Sequence, residues 1–200
     1  MKKLGFLILV LVIVFSISSV AVAEDKNATY NWDSVIDIIA EVFPDTSKFW
    51  IVEDVDAVFW LPDAYISQEL TDEDLENNSV GCFLSESGNS LIYLTYSDEG
   101  ITLDNYFNAL KQNGYDVEMV SVNDIPAIIF RNAENDAMFL IYQTQEGKIF
   151  QIMFTGYLDE SLSTIYNLVI SSIQPHHVEE VEVSDEPVTS TNPVSSLISK

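Results

Sequence analysis

Residues 115–156 decide the fold, and they read YDVEMVSVNDIPAIIFRNAENDAMFLIYQTQEGKIFQIMFTG. Four short apolar runs in this stretch, rich in Val, Ile, Phe and Met, are separated by three polar turn sequences. The runs are residues 117–122, 125–131, 137–143 and 149–155, and the turns are Asn123-Asp124, Glu134-Asn135-Asp136 and Gln145-Glu146-Gly147. This pattern predicts an antiparallel meander of four strands.

The remaining segments are expected to extend or cover this sheet. Aromatic and β-branched residues predict one or two strands in residues 49–61, an extended run in 65–70, and a hairpin formed by 80–86 and 90–97. Residues 71–79 predict a loop. Apolar residues at helical spacing predict helices in 33–43, 103–113 and 160–173. The sequence therefore predicts a single α+β domain, residues 31–175, with an antiparallel sheet of about six strands flanked by helices.

Local signals set the limits of the first two helices. Asn31 or Asp33 can cap the first helix, and Thr102 can cap the second, which Gly114 ends in the left-handed conformation. The first helix is short, so its apolar stripe must dock on the domain; the stripe consists of Val35, Ile38, Ile39 and Val42.

Both ends of the chain have a different character from the domain. Residues 1–23 begin with Lys2-Lys3, continue with an apolar run and end Ala-Val-Ala, which predicts a secretory signal peptide cleaved after Ala23. The alternative is an uncleaved anchor, because residues 4–23 are about long enough to cross a bilayer. Residues 24–30 are expected to be a loose leader, and the acidic, polar residues 176–200 a disordered tail.

The chain is strongly acidic. Its formal net charge is −24, with 32 acidic residues. Loss of Lys2 and Lys3 with the signal peptide would bring it to −26. Such a surface repels nucleic acid and anionic membranes, so we expect neither as a partner, whereas cationic partners and metal ions remain open. Cys82 is the only cysteine, which excludes an internal disulfide, and we expect it to be a small buried apolar residue.

Nucleophilic catalysis finds little support in the sequence. The two histidines, His176 and His177, are adjacent at the edge of the tail, where no rigid element would hold an imidazole against a nucleophile. Together with Glu179 and Glu180 they could hold a transition metal only loosely. Paired carboxylates are possible wherever two acidic residues face each other across a cleft, but the many acidic residues make that a weak signal.

Asp72, Asp74 and Glu76 alternate as at the start of a calcium-binding EF-hand loop. The loop then departs from that pattern, because Asn77 stands at the glycine position and Phe83 at the last ligand position. A weaker oxygen-ligand site at Asp72, Asp74 and Glu76 remains open, and a solvated loop is the alternative. We expect no cofactor.

Aromatic residues are concentrated in the first third of the domain, at Trp32, Phe49, Trp50, Phe59, Trp60 and Tyr65. Such residues usually belong to the core. However, a strand sends successive side chains to opposite faces. If a helix leaves one face open, Phe59, Trp60 and Tyr65 are expected to form an apolar binding patch.

Three phrases carry a resemblance to a known fold: Phe59-Trp60-Leu61-Pro62, Asn113-Gly114-Tyr115, and Val122-Asn123-Asp124-Ile125-Pro126-Ala127. With the order hairpin, helix, antiparallel strands and C-terminal helix, residues 55–175 resemble small exported bacterial proteins of unknown function that have a PsbP-like α/β/α sandwich. The resemblance implies this fold and transfers no catalytic residue, because the fold hosts unrelated roles.

These observations predict an exported, non-enzymatic binding or interaction module at or outside the cell surface. Its partner would be a protein or a small ligand, and we expect the chain to be monomeric. The alternative is a carboxylate-pair hydrolase of the cell envelope, which requires two facing acidic residues in a cleft.

Overall fold

The computed structural model describes residues 28–43 and 47–175. In chain order its strands are β1 Ala28–Tyr30, β2 Ser47–Val52, β3 Ala57–Pro62, β4 Tyr65–Ser67, β5 Ser79–Ser85, β6 Leu91–Ser97, β7 Asp116–Val122, β8 Ile125–Asn132, β9 Ala137–Gln143, β10 Ile149–Thr155 and β11 Gln174–Pro175. The α-helices are α1 Ile36–Val42, α2 Asp72–Glu76, α3 Leu103–Gln112 and α4 Glu160–Ser171.

Most strands form one large sheet in the order β1-β7-β8-β9-β10-β6-β5-β4. The run β7 to β10 is the predicted antiparallel meander, and the predicted hairpin β5–β6 joins it through β6 and β10. The expected count of about six strands is too low, because short edge strands extend both ends of this sheet. A second sheet, β11-β3-β2, adds three more strands. The α+β class is confirmed.

Side chains on the two faces of the large sheet form two separate cores. On one face, Leu140, Phe150 and Ile152 pack with residues of α4 and of the small sheet. On the other, Ile128, Phe139 and Ile141 pack beneath α3, whose inner residues are Leu103, Tyr106, Phe107 and Leu110. Most consecutive residues of β8, β9 and β10 are buried, because successive side chains point to opposite faces and both faces are covered.

The small sheet is a hairpin with a third strand added from the end of the domain. β2 pairs with β3 in antiparallel register, and Gln174–Pro175 pairs with the other edge of β3. The backbone N–H of Trp60 also donates a hydrogen bond of 2.9 Å to Oγ of Ser172, just after α4. The sequence predicted a helix that ends at residue 173 and no strand after it, whereas the next two residues form β11.

The N-terminal part of the domain differs from expectation in two ways. Residues 28–30 of the expected loose leader form β1, which pairs in parallel with β7. The predicted first helix divides into a 3-10 turn at Trp32–Ser34, capped by the side chain of Asn31, and α1. Of the four stripe residues, Val35 and Ile39 are buried, whereas Ile38 and Val42 are exposed. The docking stripe is therefore narrower than predicted.

The predicted loop 71–79 contains helix α2. Thr71 and Asp74 form a capping box, in which each side chain binds the backbone N–H of the other residue. That reciprocal pair satisfies two helix-start donors and explains why so acidic a segment is helical. The other caps agree with expectation, since Thr102 caps α3 and Gly114 adopts a φ of +80°.

Asn123, in the turn between β7 and β8, connects three parts of the chain. Its Oδ1 accepts from the backbone N–H of Trp32 at 2.7 Å. Its Nδ2 donates to the carbonyl oxygens of Ser171 and Ile173, each at 2.8 Å. This side chain thus holds the N-terminal segment and the end of α4 at one end of the meander.

Several sequence predictions lie outside the described residues. These are the signal peptide or anchor in residues 1–23, the rest of the leader in 24–27, and the tail 176–200 with His176 and His177. No helix within 28–43 and 47–175 is long and apolar enough to cross a membrane.

Candidate functional site

The aromatic residues expected to form an open patch lie in the core. Phe59 and Trp60 are 0% exposed and Tyr65 is 5% exposed. Phe59 and its cross-strand neighbour Trp50 both contact the ring of Phe83 on the large sheet. The prediction of an exposed patch at Phe59, Trp60 and Tyr65 is therefore wrong, because both faces of β3 are covered.

Different elements cover these three residues. Trp60 points to the outer face of the small sheet, where Phe43 at the end of α1 meets its ring edge-on with the centroids 5.1 Å apart. The hydroxyl of Tyr65 pairs with Oγ of Ser90 at 2.8 Å in a buried group of hydroxyls. Burial of these aromatic surfaces contributes to stability rather than to a ligand site.

The acidic residues proposed for calcium do not converge on one point. Asp72 and Glu76 are exposed on one side of α2, and the helical rotation places Asp74 on the opposite side. Both Asp74 oxygens are engaged: Oδ2 accepts from the N–H and hydroxyl of Thr71, and Oδ1 from the hydroxyl of Tyr93. Within the described residues no three His, Cys, Asp or Glu side chains are grouped closely enough to hold a metal ion.

A small cavity of about 70 Å³ opens between the two sheets. Val55, Asp56, Ile125, Tyr142 and Pro175 contribute to its lining, along with the neutral residues Gln143, Thr144 and Gln145. Asp56 supplies its one carboxylate, and burial is the main cause that raises the pKa of Tyr142. A carboxylate-pair hydrolase needs two acidic groups facing each other, and this cavity does not provide them.

Cys82 is half-buried on β5, not fully buried as predicted. Burial raises the pKa of its thiol, and the charge of Asp74 adds to the effect. A raised pKa lowers the fraction of reactive thiolate. The thiol is therefore in an unreactive environment.

An exposed apolar surface does exist on the outer side of the small sheet. It consists of residues of α1 and β2, and we call it the α1–β2 surface: Ile38, Val42, Phe49 and Ile51. Phe49 is 57% exposed and Ile51 52%, while Ile38 and Val42 are 47% and 59% exposed. These four are among the nine large apolar side chains that are exposed in the described part of the chain.

The register of β2 and β3 explains why this surface is open. Phe49 is the cross-strand partner of Trp60, so both side chains lie on the outer face of the hairpin. Trp60 is fully covered, whereas Phe49 is 57% exposed although the ring of Trp32 contacts it edge-on, with the ring centroids 5.7 Å apart. α1 therefore covers the β3 side of the hairpin and leaves the β2 side open.

Sequence reasoning missed this surface although its signal was present. Helical spacing alone predicts that Ile38 and Val42 belong to the docking stripe. Phe49 is predicted to lie in the core because most aromatic residues do. The alternation Phe49-Trp50-Ile51-Val52 already required two residues on each face of the strand. Which face α1 would leave open depended on tertiary packing.

Comparisons with known proteins found similar solved structures but no matching family. No family model matches the sequence, and no curated protein matches it. Among solved structures, the chain is similar to the cyanobacterial PsbP (CyanoP) of Synechocystis sp. PCC 6803, with a TM-score of 0.49 and 10% identity over 65% of this chain and 92% of that one. It is also similar to a protein from Bacteroides thetaiotaomicron VPI-5482, with a TM-score of 0.44 and 13% identity over 68% of this chain.

These similarities concern the fold alone. This chain spans only 50% of the Bacteroides protein, and its sequence identity to both proteins is low. The described residues form a small α+β domain with two sheets, and its role must be argued from its own surface.

Proposed function

We propose that this chain is an exported, non-enzymatic binding module, and that the α1–β2 surface is the place where it holds a protein partner at or outside the cell surface. The observation that carries the proposal is the exposure of Phe49 and Ile51 on the outer face of the hairpin, together with that of Ile38 and Val42 on one side of α1. Exposed apolar patches on a protein surface are typical of interaction sites.

Two further observations support the proposal. The pattern of residues 1–23, with its basic start, apolar middle and small residues at the end, favours export. The tested chemical alternatives find no support in the described residues: Asp74 serves a helix cap, Cys82 has a raised pKa, and the cavity beside Tyr142 holds one carboxylate.

A peptide-selection experiment tests the role of the surface. The chain without residues 1–23 is immobilised and used to select from a phage library of random peptides. We expect the wild-type chain to enrich binders that the double variant Phe49→Ser with Ile51→Ser fails to retain. Both side chains are exposed, so the double variant should fold, which far-ultraviolet circular dichroism and the melting temperature would verify.

The matched control is Leu158→Ser, which removes an exposed apolar side chain outside the α1–β2 surface. It should retain the same peptides as the wild type. If selection yields no peptide, or only peptides that bind the double variant equally well, the surface is not a binding site and the proposed function is wrong.

A further inference from the structure

The edges of the two sheets differ in length. Among the described residues, the terminal strands β1 and β4 have three residues each and β11 has two, whereas β2 has six. Short edge strands are one way in which proteins avoid pairing with other chains. Within residues 28–43 and 47–175, β2 is paired on one side only, with β3, and its other side presents a six-residue edge of backbone N–H and C=O groups.

The side chains of β2 suit the addition of another strand. A strand paired with β2 would place every second side chain on the same outer face as Phe49 and Ile51. Apolar residues at those positions would extend the α1–β2 surface, and the backbone would supply the hydrogen bonds. This is the β-augmentation mode of peptide recognition.

The charges around β2 define the chemistry of the added strand. Six exposed carboxylates lie on α1, on the turn before it and at the ends of β2 and β3: Asp33, Asp37, Glu41, Glu53, Asp54 and Asp63. Two lysines already lie near this rim: Nζ of Lys48 is 3.3 Å from the Asp63 carboxylate, and Nζ of Lys148 donates to the backbone carbonyl oxygen of Asp54 at 2.7 Å. A cationic segment is attracted to such a rim, and an anionic one is repelled.

The same charges disfavour two other occupants. A second copy of the chain would bring a further net charge of −24 to the surface. The chain's own C-terminal residues 176–200 are acidic as well, with Glu179, Glu180, Glu182, Asp185 and Glu186. Like charges brought together at a contact weaken it.

We infer that the α1–β2 surface binds a basic, extended segment of a partner protein, in which apolar residues alternate with lysine or arginine and which adds as a strand along β2. This inference rests on the proposed function and names its partner class. The carboxylates attract the basic segment and orient it. Backbone hydrogen bonds to β2 and apolar contacts with Phe49 and Ile51 then stabilise the complex.

Three synthetic ten-residue peptides test the inference. One alternates lysine and valine, one alternates glutamate and valine, and one has five lysines followed by five valines. The alternating lysine peptide should bind the chain without residues 1–23 at least about tenfold more tightly than either of the others at low salt, because only it combines charge and strand pattern. Fluorescence anisotropy of labelled peptides gives the affinities.

Hydrogen exchange locates the bound peptide. Backbone amides of β2 should exchange more slowly when the alternating lysine peptide is bound, and those of β4, the edge strand of the large sheet, should not change. Phe49→Ser with Ile51→Ser should weaken binding, and Leu158→Ser should leave it unchanged.

The outcomes separate the inference from the proposed function. Equal binding of the two lysine peptides, or protection outside β2, would overturn strand addition. Tighter binding of the glutamate peptide would overturn the charge assignment. In either case the proposed function would still hold if the phage library yields peptides that bind the wild-type chain and not the double variant. A dimer of the wild-type chain that is lost in the double variant would overturn the inference by making the surface a self-contact.

Discussion

The hydroxyl of Tyr93 donates a hydrogen bond of 2.7 Å to Oδ1 of Asp74, and this bond joins strand β6 to helix α2. Hydrogen bonds from Thr71 and Tyr93 lower the pKa of the Asp74 carboxyl group. Burial is the main cause that raises the pKa of Tyr93 to about 12. The pair therefore consists of a neutral phenol that donates and a carboxylate that accepts throughout the neutral range.

Tyr93→Phe tests this pair. We expect the free energy of unfolding to fall by about 1–2 kcal/mol at pH 7, because a hydrogen bond to a charged group is lost. The hydroxyl of Ser79, which also bonds to that of Tyr93, loses a partner in the same variant. Urea denaturation at a series of pH values measures the effect.

The difference between wild type and Tyr93→Phe should depend on pH. The folded-state pKa of Asp74 is lowered, so the stability that its carboxylate contributes is present above its unfolded pKa of about 3.9 and is lost as the pH falls through the folded value. The gap should narrow below about pH 4. In the control Tyr106→Phe, the lost bond is to the neutral Gln151 side chain, and the deficit should not change with pH. A gap that is constant down to pH 2 would contradict this account.

The buried hydroxyl of Tyr166 should contribute strongly to stability. It bonds to Oγ of Ser90 and donates to the carbonyl oxygen of Thr155, so it ties α4 to the β5–β6 hairpin and to β10. Tyr166→Phe leaves both partners buried without it, and we expect a loss of about 2–3 kcal/mol in unfolding free energy. Tyr157→Phe, at a partly exposed position, is the control. Equal losses in thermal or urea unfolding would refute the importance of these bonds.

Gly156 is required for two reasons: its φ is positive, and neighbouring atoms leave no room for a Cβ. Substitution at two glycines can separate these reasons. Its φ is +81°, and a Cβ there would lie 3.1 Å from the carbonyl oxygen of Asn89 and 2.9 Å from Cδ1 of Leu162. Gly100 has a similar φ of +73° with open space around it. Gly100→Ala should therefore cost about 1–2 kcal/mol for backbone conformation, and Gly156→Ala clearly more, because backbone must also move. Calorimetry of both variants measures the difference, and equal costs would show that the close contact is relieved easily.

Asn123 should be hard to replace even with a residue of the same shape. In Asn123→Asp the donor Nδ2 becomes an oxygen facing the carbonyl oxygens of Ser171 and Ile173. We expect a loss of about 2–4 kcal/mol in unfolding free energy, because two bonds are replaced by repulsion. Asp124→Asn, at the exposed neighbouring turn residue, should have little effect. A stable Asn123→Asp variant would show that these contacts matter less than the turn itself.

The meander and the hairpin β5–β6 could be predicted because their signals are local. Each strand is a short apolar run, and each turn contains residues that tolerate the left-handed conformation, such as Asn123, Asp136 and Gly147. Helix α3 was equally clear, since Thr102 and Gly114 mark its two ends.

The assignments that failed depended on partners distant in sequence. Residues 28–30, Ala-Thr-Tyr, are too few to predict a strand by themselves and form one by pairing with residues 120–122 of β7, far along the chain. The sequence does not show that the 49–61 hairpin would leave the main sheet and form its own with Gln174–Pro175. The candidate site shifted for the same reason: whether Trp60 or Phe49 is exposed depends on where α1 lies across the hairpin, and no local pattern specifies that.

The parallel pairing of Ala28 with Val120 sets how far the domain could stand from a bilayer. Ala28 follows Ala23 by five positions, a reach of at most about 18 Å for a fully extended chain. If residues 4–23 stayed in the lipid, the β1–β7 edge would be held within about 18 Å of the hydrocarbon core. Cleavage after Ala23 would remove this tether. The distance of the domain from a membrane would therefore show whether residues 1–23 are cleaved or retained as an anchor.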